Sequence, residues 1–180
     1  DAGQDAAMIA EYRQLIAREP DVTDWPEGLS QYYLEQADQR NARRVWEDFL
    51  ASHASVTMLL AGAESMTAFG LHDLALAATE KALTGSPGVE AVGQVRLTEF
   101  DLYRRRGLNT EAEATLVALD AALPPDSAYR IELADAYERL QKPQLAAKTL
   151  EAFAGAKGGL GIDDTMRLAW LFDSVGRRDD

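Results

Sequence analysis

The stretch that decides the fold is SAYRIELADAYERLQKPQLAAKTLEAF, which runs from Ser127 to Phe153. On both sides of Gln141 its apolar residues recur at steps of three and four positions, the spacing of one face of an α-helix. These positions are Leu133, Ala134, Tyr137 and Leu140 before Gln141, and Leu145, Ala146, Leu150 and Phe153 after it. Strand-like alternation is absent from the stretch. It is therefore predicted to form two helices joined by a turn at Gln141.

The same pattern recurs along the whole chain at an interval of about 34 residues. The turn positions are residues 3, 37, 70, 107, 141 and 176, which are separated by 34, 33, 37, 34 and 35 residues. Four turns have an aromatic residue four positions earlier, namely Tyr33, Tyr103, Tyr137 and Phe172. Small residues follow four turns by five positions, namely Ala42, Ala75, Ala112 and Ala146. A small residue lets two helices approach closely, and an aromatic ring fills the space beside it.

These residues resemble the tetratricopeptide repeat, a helix-turn-helix unit of about 34 residues with a small residue at the turn and a closing proline. Ser127 to Phe153 is the best match, followed by GLHDLALAATEKALTGSP from Gly70 to Pro87. Phe100 departs from the family pattern because a small residue is expected there, and Gly62 because a large aliphatic residue is expected. The resemblance implies an all-α fold, a right-handed superhelical solenoid of antiparallel helix pairs with about ten helices.

The repeat spacing predicts one solenoid over residues 1–180. Its parts are a partial repeat with only a second helix (1–22), four repeats (23–55, 56–92, 93–126 and 127–161) and a partial repeat with only a first helix (162–180). Natural arrays are normally closed by polar capping helices, so the broken ends predict a fragment of a longer array. The stretches Ser86 to Gly93 and Gly155 to Gly161 are predicted to be turns between units.

The composition excludes several classes of function. Thirty Asp and Glu residues against eighteen Lys and Arg give a net charge of −12. Nucleic acids and anionic membranes require clustered cations, so neither is an expected partner. The chain has no cysteine, which excludes disulfides, thiolate metal sites and a cysteine nucleophile. It also has no apolar run of about 18 residues, so no membrane contact is expected from this segment.

Residue patterns typical of catalysis or cofactor binding are not found. His53 and His72 have no second ligand at helical spacing, so they are predicted to be surface or capping residues and not metal ligands. The glycines from Gly155 to Gly161 lack the preceding strand and the lysine-serine ending of a phosphate loop. Asp163 and Asp164 are expected to favour the start of a helix. We therefore predict no enzymatic activity, no cofactor and no metal.

The three tryptophans have different predicted environments. Trp46 lies on the apolar stripe of a second helix and is expected in the core. Trp25 is expected to cover the start of a helix, and Trp170 is expected to be exposed.

The first helices of a tetratricopeptide solenoid line its concave face, which typically holds a peptide or a protein element. Counting back from each turn predicts the contact residues Gln31, Glu35, Leu60, Glu64, Leu97, Asp101, Arg104, Arg105, Ile131, Asp135, Glu138, Arg139, Met166 and Trp170. Acidic residues recur in this set beside an apolar strip. The pattern fits a docking groove, and it also fits a solvated helix face. Likewise, Arg104 to Arg106 fits either the groove or the favourable placement of cations at a helix end.

The resemblance also bears on the partner. Domains of this family that clamp a C-terminal carboxylate use Lys and Asn at these positions, which here carry mainly Glu, Gln, Asp and Leu, so a carboxylate clamp is not expected. An acidic and apolar groove suits a partner protein with Lys or Arg beside hydrophobic anchors. The predicted function is a non-enzymatic scaffold that docks such a protein.

The Ala- and Leu-rich, degenerate repeats resemble the periplasmic repeat region of outer-membrane exopolysaccharide export proteins of the Pel, cellulose and poly-N-acetylglucosamine systems. The resemblance implies a periplasmic location, a role in biofilm polymer export and a polysaccharide-modifying enzyme as partner. Two alternatives remain open: a cytoplasmic adaptor of a secretion or signalling complex, and direct binding of a cationic polysaccharide along the acidic groove.

Overall fold

The computed structural model describes residues 2–84 and 87–177. Within these residues the chain forms ten α-helices and no strand, which confirms the predicted all-α fold of tetratricopeptide type. The helices are α1 (Ala2–Arg18), α2 (Asp24–Glu35), α3 (Gln39–Ser52), α4 (Val56–Ala68), α5 (His72–Ala82), α6 (Val89–Arg105), α7 (Asn109–Ala122), α8 (Tyr129–Arg139), α9 (Pro143–Lys157) and α10 (Ile162–Ser174). The outer limits of the predicted array, residues 1 and 178–180, and Ser86 of the predicted turn lie outside the described residues. No helix of the described part is long and apolar enough to cross a membrane.

The chain forms two compact units, Asp1–Thr84 and Gly85–Asp180. In the first unit the helices pack in chain order from α1 to α5, and in the second unit from α6 to α10. The most extensive packing joins α2 with α3 and α4 with α5 in the first unit, and α6 with α7 and α8 with α9 in the second. These are the pairs that a predicted turn connects, so each pair is one helix-turn-helix unit.

The turns that end α2, α4, α6, α8 and α10 share one backbone motif. Their central residues have left-handed φ angles of 56° at Ala37, 73° at Gly70, 71° at Gly107, 58° at Gln141 and 79° at Gly176. At each turn, the following N–H donates to the carbonyl oxygen four residues before the turn: Asp38 to Tyr33 (2.8 Å), Leu71 to Met66 (2.8 Å), Leu108 to Tyr103 (3.0 Å), Lys142 to Tyr137 (2.9 Å) and Arg177 to Phe172 (2.8 Å). This bond is the mark of a Schellman motif. Five of the six predicted turns are therefore confirmed, whereas Gly3 lies within α1 and the prediction of a turn there is wrong.

Replacing Ala37 with glycine is expected to stabilise the protein by about 0.5–1 kcal/mol. A left-handed conformation costs an L-residue about 1–2 kcal/mol, and glycine avoids this cost. Part of the gain is offset because glycine loses more conformational entropy on folding than alanine does. The matched control is Gly70→Ala, which should destabilise by a similar amount. A Cβ on Gly70 would have no atom within 4 Å, so only the backbone conformation changes. Urea unfolding measures both variants, and a less stable Ala37→Gly variant would contradict the argument.

Two of the predicted inter-unit turns are shorter than expected. Helix α6 already begins at Val89, within the predicted turn, so Gly93 is helical. Gly93 also packs closely, since a Cβ there would lie 2.6 Å from the Tyr129 ring. Helix α9 continues to Lys157, so Gly155 is helical, and Gly158 ends the helix with a φ of 77°. These glycines therefore serve close packing and helix ending as well as the turns.

The core of the first unit contains Trp46, which is fully buried as predicted. Its ring centroid lies 5.4 Å from that of Phe49 and 6.0 Å from that of Phe69. Gly62 completes this contact, because a Cβ on it would overlap the Phe49 ring. The glycine that departs from the family pattern thus makes room for an aromatic ring of α3.

In the second unit, Phe100 is fully buried among residues of α7, α8 and α9. The large ring at a position where the family has a small residue is therefore part of the core. The predicted small residues Ala42, Ala75, Ala112 and Ala146 are all buried as well.

Candidate partner-binding surface

Four of the predicted contact residues lie in the first unit, on α2 and α4. Gln31 and Glu35 are exposed, and Nε2 of Gln31 donates to Oε1 of Glu35 at 3.1 Å. Glu64 is exposed and forms no ion pair with any residue that the structure describes. Leu60 is only 8% exposed, so it supports the packing of α4 and offers little surface to a partner.

The other ten predicted contact residues lie in the second unit, on α6, α8 and α10. Leu97 and Ile131 are half-buried and pack against the core of this unit, while Met166 and Trp170 are exposed. The charged members are Asp101, Arg104 and Arg105 on α6, and Asp135, Glu138 and Arg139 on α8.

The predicted acidic residues of the second unit are paired with arginines of the next first helix. Asp101 of α6 forms an ion pair with Arg139 of α8. Arg167 of α10 lies between two acids of α8, with Nη2 2.8 Å from Oδ1 of Asp135 and Nε 2.5 Å from Oε1 of Glu138. Exposed ion pairs contribute about 0–1 kcal/mol each to stability. Their main effect here is on charge, because three carboxylates and two guanidinium groups leave one net negative charge.

This pairing lowers the negative charge of the predicted acidic groove in the second unit. Asp101 and Asp135 remain 41% and 65% exposed, so a basic partner would contact them in competition with Arg139 and Arg167. Arg167 was not among the predicted contact residues. A search for opposite charges about one repeat apart would have found it, since Arg167 and Glu138 are 29 positions apart and Arg139 and Asp101 are 38 apart.

The predicted arginines come together at a separate basic cleft of the second unit. Arg104, Arg105, Arg139 and Lys142 line this cleft of about 670 Å³ beside the turns that follow α6 and α8. Lys142 donates from Nζ to Oε1 of Glu113 at 2.9 Å. Arg104 and Arg105 occupy the last turn of α6, where cations favour the helix end.

An exposed apolar face runs along α10. Ile162 is 81% exposed, and Met166 and Trp170 are each 62% exposed. Steps of four residues place the three side chains on one side of the helix. The exposure of Trp170 confirms the prediction, whereas Ile162 was not predicted to belong to the surface. We call these three residues the α10 apolar face.

The residues considered for metal or capping roles have structural roles. No group of three or more His, Cys, Asp or Glu residues suited to a metal ion occurs in residues 2–84 and 87–177. His72 begins α5, and His53 takes the capping position after α3, which agrees with a capping role, although its side chain is buried and does not lie at the surface. Asp163 and Asp164 lie in the first turn of α10, where Gly161 takes the capping position without a side-chain bond.

Trp25 lies at the start of α2, as expected, and its Nε1 donates to Oε2 of Glu19 at 2.9 Å. The same carboxylate accepts from Nε and Nη2 of Arg18, and the hydrogen bonds from Arg18 and Trp25 hold the pKa of Glu19 below its usual value. This contact fixes the chain between α1 and α2.

No protein-family model matches this chain, and none of the curated proteins matches it either. Among solved structures, PilW, a type IV pilus biogenesis factor, superposes with a TM-score of 0.52 at 17% identity, over 98% of this chain and 81% of PilW. PilF of Pseudomonas aeruginosa gives 0.47 at 15% identity, over 98% and 81% of the two chains. A tetratricopeptide repeat protein of Parabacteroides merdae gives 0.34 at 17% identity, over 98% and 82%. The likeness to PilW concerns the fold alone. The helix pairs, the left-handed turns between them and the superposition on PilW together show that the chain has the fold of tetratricopeptide repeat proteins.

Proposed function

We propose that this chain is a non-enzymatic scaffold that docks another protein, and that the α10 apolar face is its main contact surface. The observation that carries the proposal is the exposure of Ile162, Met166 and Trp170 on one side of α10. Large apolar side chains of this kind are usually buried. Burying them against a partner would recover about 25 cal/mol for each Å² of apolar surface.

The composition of this face matches that of protein interfaces. Tryptophan and methionine are enriched at the centre of interfaces, where a few such residues supply most of the binding energy. The acidic residue Asp163 is exposed beside the face, and the chain as a whole carries a net charge of −12. A partner with an apolar pocket and surrounding Lys or Arg would therefore associate fastest.

We place this scaffold in a bacterial exopolysaccharide export assembly of the periplasm, with a polysaccharide-modifying enzyme as the docked protein. The Ala- and Leu-rich character of the repeats supports this setting. Direct binding of a cationic polysaccharide is disfavoured, because the polymer would compete with Arg139 and Arg167 for the acids of the second unit. Fractionation of the source organism with an antibody against the chain tests the location, and recovery among cytoplasmic proteins would contradict it.

The double variant Met166→Ala, Trp170→Ala is expected to weaken partner binding at least tenfold, because about 1.4 kcal/mol of lost contact energy is enough for that change. Both side chains are exposed, so the melting temperature should stay within about 2 °C of the wild type. The experiment isolates the partner with a photo-crosslinking residue at position 170 and then measures its affinity for each variant by calorimetry.

The matched control is Val117→Ala on α7, which is 54% exposed and lies outside the α10 apolar face. It should leave the affinity unchanged. Equal binding by the double variant and the wild type would show that the docking surface lies elsewhere. Charge reversal at Asp101, Asp135 or Glu138 is a poorer test, because it also breaks the ion pairs with Arg139 and Arg167.

A further inference from the structure

The first unit contains a cleft that none of the predicted contact residues lines. It has a volume of about 560 Å³ and lies where α1, α2 and α3 meet. Its apolar wall is formed by Ile16 of α1, Leu29 of α2, and Val45 and Phe49 of α3. A volume of this size lies within the range of about 300–1,000 Å³ that is typical of small-molecule sites.

Two arginines bring positive charge to this cleft. Arg13 comes from α1 and Arg44 from α3, and both line it. Within the described residues, neither forms an ion pair, and the one hydrogen bond of Arg13 runs from Nη2 to the Tyr33 hydroxyl at 3.4 Å. That hydroxyl accepts from Arg13, so its own proton is available to a ligand. Among the described residues of the lining, Asp48 is the only acid, so Arg13, Arg44 and Asp48 together carry one net positive charge.

One end of the cleft is fixed by His53, which is buried. The imidazole stacks on the Phe49 ring with 4.1 Å between the centroids. Its Nε2 lies 2.7 Å from the carbonyl oxygen of Pro20, and its Nδ1 lies 2.9 Å from that of Phe49. The ring therefore ties the end of α3 to the segment between α1 and α2. A cleft whose wall is already ordered requires less rearrangement when it binds a ligand.

We propose that this cleft binds a small monocarboxylate with an apolar body. The carboxylate lies between Arg13 and Arg44, because a guanidinium group offers paired N–H donors that match a carboxylate. The Tyr33 hydroxyl donates a further hydrogen bond. The apolar body packs on Ile16, Val45 and Phe49. This binding is independent of the proposed docking of a protein on α10.

Calorimetry with sodium decanoate as the probe tests the proposal on the full chain. Decanoate is expected to saturate one site, and Arg13→Gln and Arg44→Gln are each expected to weaken binding about tenfold, since a hydrogen bond to a charged group is lost. The matched control is Arg40→Gln, which makes the same charge change on an exposed residue of α3 outside the cleft. It should leave the affinity within about twofold.

Two further probes separate charge from apolar contact. Decanol and decyltrimethylammonium should bind at least about tenfold more weakly than decanoate, because they lack the carboxylate. The methyl signals of Ile16 and Val45 should shift on titration with decanoate, while those of Leu145 in the second unit should not.

Several results would overturn the proposal. One is the absence of saturable decanoate binding below about 1 mM. Another is equal binding of decanol, or an equal loss of affinity in Arg40→Gln. A short peptide ending in a leucine carboxylate that bound in the cleft while decanoate did not would assign the cleft to a peptide terminus.

Discussion

Replacing Phe100 with alanine is expected to destabilise the second unit by about 3–5 kcal/mol. The phenyl ring is fully buried in the core cluster that contains Leu116, Leu133 and Tyr137, so its removal leaves a cavity in the core. The variant also loses the contact of the Arg139 guanidinium, which lies 5.0 Å from the ring centroid. The family pattern has a small residue at this position. The pattern alone would therefore predict that Phe100→Ala stabilises the protein or leaves its stability unchanged.

Urea unfolding followed by circular dichroism measures this loss. Val117→Ala serves as the control, because Val117 is largely exposed and its truncation should cost less than about 0.5 kcal/mol. A loss below about 1 kcal/mol in Phe100→Ala would mean that the core closes around the smaller residue.

Replacing Gly62 with leucine is expected to destabilise the first unit by about 3 kcal/mol, at the upper end of the usual cost of overpacking a core. Even the Cβ of the new side chain would overlap the Phe49 ring. That ring cannot readily turn away, because it stacks on His53 and packs edge-on against Trp46. The substitution would nevertheless bring the sequence closer to the family pattern.

The rescue variant for this prediction is Gly62→Leu combined with Phe49→Ala, which should be more stable than the sum of the two single losses because the smaller residue removes the overlap. Urea unfolding followed by circular dichroism measures the stability of each variant. Gly155→Leu is the control, because Gly155 is helical and a Cβ there meets no atom within 4 Å. Wild-type stability in Gly62→Leu would contradict the structural explanation of the glycine.

The turns could be predicted from the sequence because each depends on a local backbone requirement. A left-handed residue must follow each first helix, and glycine supplies it at three of the five confirmed turns. The burial of Trp46 could also be predicted from the sequence, since an apolar stripe at helical spacing marks the buried face of a helix. Both features involve residues that are close in sequence.

The features that the sequence analysis missed depend on distant partners. The burial of His53 requires the Pro20 carbonyl, which is 33 residues away. The fit of the Phe49 ring against Gly62 depends on the packing of α3 on α4. The acids of the candidate site were identified, but their pairing with Arg139 and Arg167 depends on how successive first helices align. Trp170, which counting back from the turn at Gly176 places among the predicted contact residues, is exposed as expected.

The repeated turns allow the sequence of such a chain to evolve while its fold is kept. Each turn is held by a bond between main-chain atoms, so most side-chain replacements leave it intact, and a proline directly after the turn is the natural substitution that removes its donor. The positions around the turn can therefore acquire new chemistry without disturbing the frame. The position six residues before the turn illustrates this freedom. It carries an ion-paired aspartate on α6 and on α8, and the exposed Trp170 on α10. Recognition can diversify one helix at a time.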